Sequence, residues 1–189
     1  MKHILLVDNF DSFTFNLVHS LEKDENVIVT VVRNNQLLDL DIDFFDKIVL
    51  SPGPGLPLEA GQLIPFIEKC YSKKPILGIC LGHQALGQFF GAGLKNLPKV
   101  LHGVQLSTQI KNHNSLFDFL PPTILTGHYH SWVLDEIDFP ECLNITAYND
   151  DGGIMAFEHK EYAIIGVQFH PESVLTPNGD AIINRWLRC

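Results

Sequence analysis

The stretch from Lys74 to Gly93, KPILGICLGHQALGQFFGAG, joins two periodicities with nothing between them. Pro75 to Ile79 is an apolar run of strand length, and from Leu81 apolar residues recur every fourth position, at Leu81, Ala85 and Phe89, as on a helix face. Cys80 is therefore predicted to sit in a strand-to-helix turn. Gly78 and Gly82 lie two residues to either side of it, which is the G-x-nucleophile-x-G spacing of a nucleophile elbow with a thiol in place of serine. So sharp a turn strains its central residue and brings backbone so close that a Cβ two residues away would collide. At a helix N-terminus, unpaired N–H groups and the helix dipole favour thiolate over thiol. The competing reading is a buried structural cysteine, the commoner fate of a lone thiol. The paired glycines, the helix start and reactive partners elsewhere in the chain weigh against it.

The rest of the first half alternates in the same way. His3 to Asp8 reads as a central parallel strand, Ser12 to Lys23 as a helix with Asp11-Ser12 offering N-cap side chains, and Asn26 to Arg33 as a second strand. A polar, Leu-spotted segment with room for a short helix leads to a strand at Asp46 to Ser51, a helix at Gly61 to Tyr71, and then the Cys80 unit. Such alternation predicts an α/β fold, a mostly parallel sheet with helices on both faces, whose ligands bind beyond the carboxyl ends of the strands. After Gly93 the pattern changes. Val100 to Ile110, Thr123 to Val133, Asn144 to Tyr148, Gly153 to His159 and Ala163 to Phe169 are strand-like with no helix between them, and the last two read as a hairpin around Lys160-Glu161. A smaller antiparallel sheet is expected there, closed by a helix from Asn178 to Leu187.

Composition narrows the function. At 189 residues and 46% hydrophobic content the chain is expected to form a single domain, residues 1–189. A net charge of -9 with only 13 Lys and Arg argues against nucleic acid as a ligand. The N-terminal apolar run stops at Asp8, and no stretch approaches membrane-spanning length, so no membrane association and a cytoplasmic location are expected. Cys70, Cys80, Cys142 and Cys189 are scattered without C-x-x-C spacing, as in a reducing compartment.

If Cys80 is a nucleophile, its crevice needs an oxyanion site and a base. Ser51-Pro52-Gly53-Pro54-Gly55 follows the neighbouring strand; proline stiffens this loop and leaves Gly53 and Gly55 as its amide donors. An ordinary Pro-Gly turn is the alternative, and taken alone the more common one. The second donor would be the N–H of Leu81. Among nine histidines His170 is best placed, since it ends an apolar strand and Pro171 keeps the chain extended, so that Glu172 projects to the same side and can orient its imidazole. A Cys-His-Glu triad results, recognised by roles rather than order. His83, inside the first helical turn, reads as packing or hydrogen bonding near the site. His128 and His130 have the i, i+2 spacing of a metal pair, but no further ligands are placed, and no metal is expected.

Gly78-Ile79-Cys80-Leu81-Gly82-His83-Gln84, the Ser51 to Gly55 loop and Gly166-Val167-Gln168-Phe169-His170-Pro171-Glu172-Ser173 together resemble the class I, triad-type glutamine amidotransferases. Asp8-Asn9-Phe10-Asp11-Ser12-Phe13-Thr14-Phe15-Asn16-Leu17-Val18 is similar to the signature of the small subunits (component II) of anthranilate synthase and aminodeoxychorismate synthase. The resemblance runs from the first strand to the last helix and implies the flavodoxin-like fold of that family. It implies hydrolysis of L-glutamine to glutamate and ammonia through a glutamyl thioester on Cys80, with ammonia passed to a chorismate-binding synthase subunit (component I). It further implies that His170 and Glu172 complete the triad and that Gly55 and Leu81 hold the oxyanion. Gly53, Pro54, Gly55, Gln84 and the backbone of Ser131 and Trp132 would bind substrate. The family often has Leu where Trp132 stands, a change that a backbone contact should survive. The Asn9 to Asn16 segment is expected to help shape the partner interface. No cofactor is implied for this chain, and Mg2+ is expected only for the partner subunit. Two rivals stay open: a stand-alone thiol hydrolase of γ-glutamyl amides, and a non-enzymatic regulatory module that resembles receiver domains in its first strand and acidic end.

Overall fold

The computed structural model describes residues 1–111 and 116–189. It has a nine-stranded sheet in the order β2-β1-β3-β4-β9-β8-β7-β5-β6. β1 (Lys2–Asp8), β2 (Val27–Arg33), β3 (Lys47–Leu50), β4 (Ile76–Ile79) and β9 (Ile164–Val167) run parallel. β5 (Leu94–Ile110), β6 (Thr123–Leu134), β7 (Leu143–Asn149) and β8 (Ile154–His159) continue the sheet antiparallel, so the expected antiparallel strands are hydrogen-bonded onto the parallel half. The hairpin expected around Lys160-Glu161 is β8 to β9, with Phe157 opposite Gly166.

The parallel strands read as unbroken apolar runs because both faces are covered. In β1, Ile4 and Leu6 pack on one side with Leu17 and Leu21 of α1 (Thr14–Leu21) and Ile182, Ile183 and Trp186 of α4 (Gly179–Arg188). Leu5 and Val7 pack on the other with Leu63, Phe66 and Ile67 of α2 (Leu63–Cys70) and Leu86 of α3 (Leu81–Phe89). Each such side chain removed from water contributes roughly 1.5–3 kcal/mol. The amphipathic stripe of α4 is anchored from the sheet: Lys47 Nζ donates to Trp186 O at 2.7 Å and Cys189 O at 3.1 Å, and Lys2 Nζ donates to Leu187 O.

Two boundaries differ from expectation for local reasons. α1 starts at Thr14 with no side-chain cap, because Asp11 uses its carboxylate to accept from Phe13 N at 2.7 Å in a turn before the helix. β5 begins at Leu94, well before Val100, because Lys95 and Asn96 pair with Val133 and Trp132 despite the polar, Pro98-containing sequence. The short helix between β2 and β3 is a 3-10 turn at Ile42–Phe44, capped by Asp41.

Candidate active site

Three neighbouring strands end at one crevice. β3 pairs with β4 and β4 with β9, all parallel, so Ser51, Cys80 and Gln168 leave the sheet side by side. Cys80 has φ 51° and ψ -101°, a strained conformation for a non-glycine residue. The strain is held by packing: a Cβ on Gly78 would lie 2.6 Å from the Gly82 backbone, and one on Gly82 would lie 2.4 Å from Leu50 O. Cys80 N donates to Val167 O at 2.9 Å, tying the elbow to β9. The Leu81 N–H belongs to the first turn of α3, where helical amides have no intrahelical acceptor.

The Pro-Gly loop is fixed from below. Asn9 N donates to Ser51 Oγ at 2.9 Å, Asn9 Nδ2 to Ser51 O at 2.8 Å, and Asn34 Nδ2 to Asn9 Oδ1 at 3.0 Å. Asn9 is 2% exposed, so this part of the Asn9 to Asn16 segment scaffolds the loop from inside, whereas Phe10 and Phe15 are 52% and 74% exposed. Gly55 has φ +75°, which turns the loop at the rim of the crevice.

His170 Nδ1 and Glu172 Oε1 are 2.6 Å apart, with both side chains buried. Nδ1 being taken, interaction with the Cys80 sulfur falls to Nε2, which stops short of a formed hydrogen bond. Burial alone would lower the affinity of this imidazole for its proton. The negative charge of Cys80, with Glu172 behind, outweighs it and raises the His170 pKa far above the ordinary histidine value. Thr176 holds the segment in place: its Oγ1 donates to His170 O at 2.7 Å and accepts from Gly127 N at 2.9 Å. Phe13 and Tyr129 pack on the ring with centroids 5.7 and 4.9 Å away.

Beside the sulfur lies a cavity of about 200 Å³ whose wall includes Gly53, Pro54, Gly55, Cys80, Gln84, Ser131 and Trp132. His170, Glu172 and Leu81 are buried and are not part of that wall. Ser131 reaches it because β5 and β6 lose register between Asn96/Trp132 and Leu101/His130, leaving Ser131 opposite no residue of β5. Gln84 Nε2 donates to Trp132 O at 2.8 Å and to Gln168 Oε1 at 3.0 Å, and Gln168 Nε2 points at Cys80 Sγ from 3.6 Å. Sequence reasoning misses Gln168. Its one signal is strand parity: it precedes Phe169 and His170 at the end of the strand that pairs with the elbow.

His83 is buried, its ring nitrogens without a formed hydrogen bond among the described residues, and stacks on Phe157 at 4.9 Å. His128 and His130 hydrogen-bond each other, Nδ1 to Nε2 at 3.0 Å, which commits the nitrogens a metal would need. Burial, then the charge of neighbouring histidines, lowers all three: His83 and His128 to about 3 and His130 to about 4. His113 lies outside the described residues. No helix among the described residues is long and apolar enough to cross a membrane.

A thiol in a strained elbow, a carboxylate-oriented imidazole facing it, amide donors nearby and an amide-lined cavity can together open a carboxamide by acyl transfer to sulfur. Residues 5–188 match the family model described as "Glutamine amidotransferase class-I". The chain is 44% identical over 184 residues to a Haemophilus influenzae protein named provisionally as anthranilate synthase component II, covering 97% of this chain and 95% of that one. It is 40% identical over 187 residues to the Escherichia coli aminodeoxychorismate synthase component 2, covering 97% and 98%. A crystal structure of a Thermoplasma acidophilum protein, described provisionally as one of the subunits of GMP synthase, superposes with a TM-score of 0.88 at 26% identity over 100% of this chain and 93% of that one. The chain belongs to the class-I glutamine amidotransferase family.

Proposed function

We propose that the protein hydrolyses the side-chain amide of L-glutamine and delivers the ammonia to a chorismate-using synthase subunit that makes anthranilate or 4-amino-4-deoxychorismate. The observation that carries this reading is the facing of Cys80, in its strained elbow, with the His170–Glu172 pair, beside a cavity walled by amide groups. The names of the relatives support the choice of partner.

In this reading Cys80 Sγ attacks the amide carbon, and the carbonyl oxygen takes the displaced electron pair between the N–H groups of Gly55 and Leu81. His170 Nε2–H gives its proton to the departing nitrogen, and ammonia leaves a glutamyl thioester. His170, now neutral, takes a proton from water as the water attacks the thioester; glutamate departs and Cys80 is left as thiolate. Glu172 keeps the imidazole in orientation and stabilises its charged form. Gln84, Ser131 and Trp132 take the α-amino and α-carboxylate ends of glutamine. Ammonia released into bulk water is protonated and loses its nucleophilicity, so a docked acceptor subunit is needed. The exposed Phe10 and Phe15, on the segment beside the Pro-Gly loop, offer apolar contacts to that partner.

A glutaminase assay with purified protein, alone and with each candidate component I, tests this. Ammonia production that rises with one component I and vanishes in Cys80→Ala is expected. Equal turnover with and without either partner would remove the synthase partnership, and no glutamate under any pairing would remove the reaction itself.

A further inference from the structure

Behind the cavity wall, five hydrogen-bonded groups of the antiparallel half form a buried line. Thr108 Oγ1 is 2.7 Å from Thr126 Oγ1, Thr126 Oγ1 is 2.8 Å from His128 Nε2, His128 Nδ1 is 3.0 Å from His130 Nε2, and His130 Nδ1 is 3.1 Å from Trp132 O. Thr108, Thr126 and His128 are fully buried, and His130 is 6% exposed at the cavity. The direction of every bond can be deduced from its end. A carbonyl oxygen only accepts, so His130 Nδ1 carries the proton. A neutral imidazole has one N–H, so His130 Nε2 is bare and must accept from His128 Nδ1–H. His128 Nε2 is then bare in turn and accepts the Thr126 hydroxyl. Thr126 has spent its only proton, so Thr108 donates to it, and the 3.4 Å approach of Thr126 Oγ1 to Leu106 O is left without a proton.

The line continues past Trp132. The same carbonyl accepts from Gln84 Nε2, whose second proton goes to Gln168 Oε1, and that leaves Gln168 Nε2 toward Cys80 Sγ. With both amide protons committed, Gln84 keeps Oε1 as its acceptor, on a residue that walls the cavity. An acceptor there suits an ammonium group.

We propose that Thr108, Thr126, His128 and His130 form a one-way hydrogen-bond relay that holds the Trp132 carbonyl, and through it the amides of Gln84 and Gln168, in the orientation that receives glutamine. His128 and His130 are thus positioning residues, acting through Trp132 and Gln84. The inference rests on glutamine being the ligand of this cavity. Reversing any bond of the relay places two protons or two lone pairs face to face in a buried site, so the relay has a single polarity.

Two measurements test it without turnover. Two-bond 1H–15N correlation on the imidazoles of the labelled protein at neutral pH should find His128 and His130 both neutral with the proton on Nδ1; either ring protonated on Nε2 overturns the relay. Calorimetric titration of L-glutamine into Cys80→Ala and into Cys80→Ala/Thr126→Val reads the positioning. Loss of one net hydrogen bond predicts affinity weaker by about 5–10-fold, restored by Thr126→Ser. Unchanged affinity in the folded Val variant, with the same melting temperature, overturns it. Should that variant not fold, His130→Asn, which keeps a donor near the Nδ1 position, is compared with His130→Leu; equal affinities for glutamine overturn it. Both rings found Nδ1–H but no glutamine binding in Cys80→Ala supports the relay's polarity and counts instead against the glutaminase reading.

Discussion

Two groups of buried histidine share this crevice and behave oppositely. His170 sits between the Cys80 sulfur and the Glu172 carboxyl group at the end of the parallel half, and its proton is held far more tightly than in water. His83, His128 and His130 are set against neighbouring histidines, a threonine, a backbone carbonyl and an aromatic ring, and release theirs near pH 3 to 4. Burial is nearly the same in the two groups. What differs is the sign of the charge next door, and it separates an imidazole that can carry a catalytic proton from three that stay neutral, two of which, His128 and His130, serve as directed hydrogen-bond parts.

The largest test of this contrast removes the sulfur. Cys80→Ala should abolish glutaminase activity by roughly 10⁴-fold or more and lower the His170 pKa toward those of its neighbours, read by NMR titration. A His170 pKa that stays raised in the variant would show that the sulfur is not its main support. Glu172→Gln keeps the shape and removes the second charge. Activity should fall on the order of 10³-fold, with a smaller drop in the His170 pKa, because Glu172 contributes less to it than Cys80.

Acid should act on the other group. The unfolded chain binds protons at three histidines near the ordinary pKa of about 6.5, while the folded protein holds them neutral until about pH 3 to 4. Their contribution to stability is therefore complete above the unfolded value and is lost as pH falls below it toward the folded one, by about 1.4 kcal/mol per group per pH unit. Urea midpoints at pH 7 and 5.5 should differ by roughly 3–4 kcal/mol in unfolding free energy. His170 opposes this slope slightly in the upper part of the window, where the folded protein already holds its proton and the unfolded chain is still taking it up, and adds nothing once both states are protonated. A flat profile down to pH 5 would contradict the neutral assignment. The smallest effect concerns the link between the groups: Thr176→Val breaks the bridge from Gly127 N to His170 O and should cost about 1–2 kcal/mol of stability, measured by thermal unfolding.

Much of this arrangement was readable in the chain. Gly78 implies its own geometry because the clash that demands glycine there is with Gly82, four residues on, whereas the clash at Gly82 is with Leu50 of the neighbouring strand and depends on β3 lying beside β4. His170 and Glu172 do meet, but in a turn closed by Ser173 N donating to His170 O at 3.2 Å and not in the extended backbone expected around Pro171; the i, i+2 rule of extended backbone does bring His128 to His130 within β6. Spacing alone could not distinguish a metal pair from a hydrogen-bonded one, since the choice depends on Thr126 and Trp132 O occupying the outer nitrogens. Asn9 read as part of a surface segment, and its burial under Ser51 became visible only with β1 placed beside β3.

Local periodicity and short-range sterics thus decided the order of strands and helices, the elbow and the carboxylate-backed imidazole, since those forces act within a few residues of the chain. The tertiary structure alone decided which strands end together at the crevice, where β5 slips to free Ser131, and how Gln168 comes to point at Cys80 across a separation of 88 positions. Those outcomes depend on strand register and on competition among many buried donors and acceptors for a few partners. Such competition is resolved only when segments distant in sequence are packed against each other and cut off from water.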